Sequence, residues 1–143
     1  MRAHSFFFMV PIIALSLLLG CVTLTPAEQS YLDRVAARSS QVRITAKSER
    51  YAWGRVQSFI GQHSSMKIQT VTDFVIQTYN PSENQVDFGY TVTKTPGPKG
   101  DFELSVNCFA GNSYASGQAQ RNAKILVDYL ITGELPYPQF IAR

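Results

Sequence analysis

Two thiols carry most of the chemistry this chain could undergo, and one of them sits where a precursor is cut. Cys21 follows Leu18-Leu19-Gly20. That junction closes a stretch opening with Arg2 and running through Phe6, Phe7, Phe8, Met9, Val10, Ile12, Ile13, Leu15, Leu17 and Leu18. A short positive start, an apolar core and a small residue before the cut is the order of a secretory signal peptide, so residues 1–20 are expected to be removed. An uncleaved membrane anchor is the competing reading. A spanning helix needs about 20 apolar residues, whereas the run from Ser5 to Leu19 is shorter and interrupted by Pro11.

The Leu18-Leu19-Gly20-Cys21 segment resembles a bacterial lipobox. The resemblance to bacterial lipoproteins implies that Cys21 is lipidated, becomes the mature N-terminus and holds the protein on a membrane. It covers the N-terminus alone. In enterobacterial lipoproteins an Asp after the cysteine retains the protein at the inner membrane. Val22 stands at that place here, which implies the outer membrane, on its periplasmic face.

With Cys21 lipidated, Cys108 has no partner for a disulfide or a cysteine zinc site. Cys108 alternates in phase with Phe102, Leu104 and Val106, so it is expected in the core as a small buried hydrophobe. His63 is the one histidine beyond the signal segment. It lacks the neighbours of a zinc motif and is expected at a helix C-terminus, where a protonated ring or a carbonyl hydrogen bond is favourable. A Cys108–His63 nucleophile pair is formally available, but the core phase of Cys108 argues against it. Glu83, Asp87, Asp101 and Glu103 fall around strand ends and turns, where solvated acids are ordinary. Gly97-Pro98-Lys99-Gly100 lacks the spacing and following helix of a phosphate loop and reads as a hairpin turn. Asn107, Asn112, Ser113, Tyr114 and Ser116 form a polar cluster suited either to a polar ligand or to satisfying a loop's own backbone. Catalytic, cofactor and metal sites are therefore not expected.

The elements that would position these residues follow from periodicity. Thr25-Pro26-Ala27-Glu28 reads as a capping box with proline at the first helical position, leaving residues 21–24 as a short tether. Val42, Ile44 and Ala46 alternate with polar residues, as a short strand or an irregular connector. Ser48 is a candidate N-cap for a helix with the stripe Ala52, Trp53, Val56, Phe59 and Ile60. Gly54 interrupts it. Met66 to Tyr79 is β-rich, with a change of phase near Thr72-Asp73 that calls for a bulge or break. Val86 to Thr93 and Phe102 to Phe109 alternate cleanly around the Pro96–Gly100 turn. A last helix spans about Ser116 to Thr132, stopped by Gly133.

These elements make a single α+β domain over residues 25–133: an antiparallel meander of three to four strands with helices on one face, as a two-layer sandwich. Residues 134–143 are expected to be an extended tail. The expected core is Trp53, Val56, Phe59, Ile60, Phe74, Ile76, Phe88, Tyr90, Val92, Leu104, Val106, Cys108, Leu126, Val127 and Leu130. A helix before a long antiparallel sheet is similar in element order to the cystatin-like class, but no motif of that class stands here and its function is not implied.

The charge is mildly basic, +3 at pH 7. Arg34, Arg38, Arg43, Lys47, Arg50, Arg55 and Lys67 crowd the half next to the anchor, where they could face anionic head groups or merely be solvated. The basic residues are too scattered for nucleic acid. Val75, Tyr79 and Phe109 lie off the core phase, so an uncovered second sheet face would expose them as a partner surface. The expected function is that of a lipid-anchored envelope protein, not an enzyme, that binds a protein partner as an accessory subunit. The alternative is a small-ligand or inhibitor-type binding domain using the concave sheet face.

Overall fold

The computed structural model describes residues 23–143, so the expected signal segment, residues 1–20, and the expected lipidation at Cys21 lie outside the described residues. Helix α1 (Pro26–Ala36) begins as its sequence requires. Thr25 Oγ1 accepts the Glu28 N–H at 3.2 Å, and Glu28 Oε2 accepts the Thr25 N–H at 2.9 Å. Strand β1 (Gln41–Ile44), helix α2 (Ala46–His63) and strands β2 (Ile68–Val71), β3 (Val75–Thr78), β4 (Phe88–Pro96) and β5 (Phe102–Ala110) follow, then helix α3 (Ser116–Thr132). Every strand pairing is antiparallel and the sheet order is β1-β5-β4-β3-β2. The protein is thus α+β, with its helices packed against an open antiparallel sheet.

The sheet has five strands rather than three or four. The alternating segment near residue 42 is a strand and pairs with β5, Val42 facing Leu104. The β-rich run from Met66 divides at its change of phase. Thr72 Oγ1 accepts the N–H groups of Phe74 and Val75 at 3.2 and 2.9 Å, which turns the chain back into a hairpin of β2 and β3. Phe74 falls in that turn and is 50% exposed, so it is not a core residue. Trp53 is only partly buried, and its indole N–H donates to the Thr72 carbonyl at 3.2 Å.

Helix α2 starts three residues earlier than expected. Thr45, not Ser48, is the N-cap, accepting the Ser48 N–H at 3.3 Å while the Ser48 hydroxyl donates to the Thr45 carbonyl. Either hydroxyl residue suits the role, and the end of β1 at Ile44 decides between them. Helix α3 ends at Gly133 with φ 78°, the left-handed conformation that glycine adopts without a Cβ clash.

The remaining expected core side chains are buried, between the inner sheet face and helices α2 and α3, joined by Tyr31, Val35, Ile44 and Ile125. Helix α1 packs against α3. The C-terminal residues are not a free extended tail. Pro138–Phe140 form a 3₁₀ turn, Ile141 is buried, and Asn122 clasps Ala142 through two hydrogen bonds of 2.8 and 3.1 Å to its carbonyl and N–H. Tyr137 packs tilted against Tyr31 and Phe140 stacks on it, with ring centroids 5.2 and 6.3 Å away. Those aromatics have somewhere apolar to go, which composition alone does not reveal.

Candidate functional site

The outer face of the sheet is the surface that the helices leave open. Alternation puts Gln77 of β3, Thr91 and Thr93 of β4 and Ser105 and Asn107 of β5 on it. Of these, Asn107 is exposed and the others are half-buried. Register places Gln77, Thr91 and Asn107 in one row across three strands, with Val75, Thr93 and Ser105 in the row two residues along. The centre of this face is uncharged and rich in hydroxyl and amide groups.

Val75, Tyr79 and Phe109 do not form a continuous apolar strip there. Phe109 pairs with Gly89, Val75 pairs with Thr93, and the polar row lies between them. Val75 and Phe109 are half-buried and Tyr79 is 52% exposed. The Phe109 ring lies directly on Gly89, where a Cβ would sit 2.6 Å from the ring edge. This is the cross-strand cover that an aromatic side chain gives a strand glycine. Beyond this end of the sheet Val86 is 58% exposed and Tyr114, on the 3₁₀ turn Ser113–Ala115, is 98% exposed. Asn112 of the expected polar cluster caps that turn, accepting the Ala115 N–H at 3.0 Å, so its side chain satisfies the loop.

Cys108, Tyr90 and His63 carry the groups suited to covalent chemistry. Cys108 is buried beside Tyr90 and Asn122, and burial pushes its thiol up to about 12, away from the reactive thiolate. Burial likewise raises the Tyr90 hydroxyl far above its ordinary range. His63 ends α2 as expected but is buried, with its ring 5.0 Å from that of Phe59 and no hydrogen-bond partner for Nδ1. Desolvation, with the Arg143 charge adding, lowers its pKa. The neutral ring is therefore favoured, rather than the protonated one that a helix C-terminus alone would suggest. Among the described residues the Cys108 thiol has Tyr90 and Asn122 as its polar neighbours, and neither is a base that would activate it. Among the described residues no group of three or more His, Cys, Asp or Glu side chains could hold a metal ion. No helix there is long and apolar enough to cross a membrane.

Two buried charges escaped the sequence reading. Asp128 of α3 has a side chain 1% exposed and takes Arg34 at 3.2 Å and Arg38 at 2.8 Å from the α1 end of the chain. Lys124 donates to the Ala36 carbonyl at 2.6 Å, adding a cation at the C-terminus of α1. Lys94, on the inner side of β4, pairs with Glu49 of α2. Its ammonium also lies 4.8 Å from the Trp53 ring centre, 5.4 Å from that of Phe102 and 5.7 Å from that of Phe74. Both clusters join elements far apart in sequence. Lys94 had a signal, because it shares the phase of Phe88, Tyr90 and Val92. Asp128 had one in its place among the apolar residues of α3.

This site belongs to a class of small α+β domains with a closed helical side and an open sheet face. Compared with protein-family models, curated proteins and solved structures, the chain matches none.

Proposed function

We propose that this protein is a lipid-anchored bacterial envelope protein, held by Cys21 on the periplasmic face of the outer membrane. It is an accessory subunit without catalytic activity of its own, and it docks a protein partner on the open face of its sheet. The observation that carries the docking role is the uncovered face itself, with the Phe109 ring over Gly89 and Tyr79 and Tyr114 exposed around it. Aromatic side chains, tyrosine above all, are enriched in binding hot spots. The anchor reading is supported by the Gly20-Cys21 junction behind its apolar core. The non-catalytic reading is supported by the direction of the Cys108 and His63 shifts. Side chains fill the inner sheet face, with Phe88, Tyr90, Val92 and Leu104 all fully buried, so the outer face is the better docking surface.

Site-specific photo-crosslinking in membranes tests this. A crosslinker at Tyr79 is expected to trap one adduct of defined mass, and the same group at Gln57, exposed on the helical side, is expected to trap none. Equal trapping at both positions would remove the sheet face as the docking surface. The anchor has its own check. Cys21→Ser is expected to abolish fatty-acid labelling and leave unprocessed precursor or a soluble product, and unchanged labelling would end the localisation reading.

A further inference from the structure

On the side away from the open sheet face, helix α2 carries Lys47, Arg50, Tyr51, Gly54, Arg55 and Ser58 at spacings that put all six on one stripe. With Tyr129 of α3 and the capping residue Gly133 they line an open groove of about 620 Å³. From these residues we infer that the groove binds the phosphate ester group of a small molecule or lipid head group.

Charge is the first argument. Three cations line the groove and no carboxylate does. Among the described residues neither Lys47, Arg50 nor Arg55 forms an ion pair, although Arg34, Arg38, Arg43 and Lys94 all do. Of the acids next in sequence to lining residues, Glu49 holds Lys94 and Asp128 holds Arg34 and Arg38, while Glu134, beside Gly133, does not line the groove.

Order is the second. Arg55 is fixed in place: one guanidinium nitrogen donates to the Tyr51 hydroxyl at 2.9 Å and another to the Leu130 carbonyl at 3.5 Å. Its central carbon lies 4.2 Å from the Tyr51 ring centre and 5.5 Å from that of Tyr129. A planar guanidinium held before binding recognises phosphate oxygens with little loss of freedom. Its remaining donors have no partner among the described residues.

Shape is the third. Glycine inside a helix is less stable than alanine, and nothing lies within 4 Å of where a Gly54 Cβ would be, so packing does not require it. Its effect is to leave the groove floor open between Arg50 and Arg55. Gly133 at the far end is required by its own backbone, and a Cβ there would also strike Arg55 at 2.5 Å. The tyrosine rings offer apolar surface to whatever carries the phosphate.

The test titrates the full chain, held in neutral detergent micelles, with glycerol phosphate and with dihexanoyl phosphatidylglycerol. Saturable, salt-sensitive binding of at least one probe is expected. Arg50→Glu is expected to weaken it about tenfold or more with an unchanged thermal midpoint. Lys99→Glu, the same charge change in the β4–β5 turn, is expected to leave it alone. Gly54→Leu fills the floor without touching charge and is expected to abolish binding while raising the thermal midpoint. Comparable affinity for both probes assigns a soluble phosphate ester, and preference for the lipid assigns a head group. Absence of saturable binding would overturn the inference. So would equal losses in Arg50→Glu and Lys99→Glu, or full binding by Gly54→Leu. The outcome is independent of the sheet-face reading, because the two surfaces lie on opposite sides of the molecule.

Discussion

Along β4, Phe88, Tyr90, Val92 and Lys94 turn toward α2 and α3 and are buried, while Thr91 and Thr93 between them face outward and stay half-exposed. The same alternation runs along β5, with Leu104, Val106 and Cys108 inside and Ser105 and Asn107 outside. The inner side accepts a charge only where it is neutralised, as for Lys94 by Glu49 and three rings. The outer side carries hydroxyl and amide groups that water satisfies as readily as a partner would. The inner face is therefore committed to folding and tolerates little change. The outer face is free to be selected for recognition.

Substitutions should sort by which side they touch. The largest effect is expected on the helical side, from Asp128→Ala. It removes the anion that joins α1 to α3, and the cost is about 3 kcal/mol, the low end for breaking a buried pair, since the arginines left behind reach solvent. Urea denaturation measures it, and a loss below about 1 kcal/mol would mean that the cluster does not hold α1 in place. Next comes Cys108→Ala, a small cavity costing about 1–2 kcal/mol. The native thiol should alkylate slowly until the protein unfolds, because burial raises its pKa to about 12. Fast labelling of the folded protein would revive a nucleophile. On the outer face, Phe109→Asp should cost no more than about 1 kcal/mol, the scale of one cross-strand pair, yet abolish the Tyr79 crosslink. Unfolding by this change would place Phe109 with the inner residues and erase the contrast.

The smallest effect is a slope with pH. His63 resists protonation when folded more than when unfolded, its pKa being lowered from 6.5. Its contribution is complete above that ordinary value. It declines as pH falls below it, because the unfolded chain then binds the extra proton. His63→Leu should flatten the slope of denaturation midpoint between about pH 7 and pH 5. An unchanged slope would assign the acid sensitivity to other groups.

What the sequence determined by itself was local. The Thr25–Glu28 capping box, the span of α3 with its Gly133 stop, the hairpin at residues 96–100 and the core phase of β4 and β5 all follow from rules that act within a few residues. The change of phase near Thr72 was legible too, although whether it meant a bulge or a turn was not, since both disturb alternation alike. Only the tertiary structure decided the pairing of β1 with β5, the docking of residues 134–143 and the placing of Phe74 outside the core. It alone brought Arg34 to Asp128, 94 residues apart, and Lys94 to Glu49, 45 apart. A buried charge is stable only with its counter-charge, and a strand edge only with its neighbour. No spacing within either segment encodes a partner that the chain supplies from its other end. The α2 groove stands between the two cases: its stripe of cations and Gly54 is written along one helix, but the wall that makes it a groove comes from Tyr129 and Gly133.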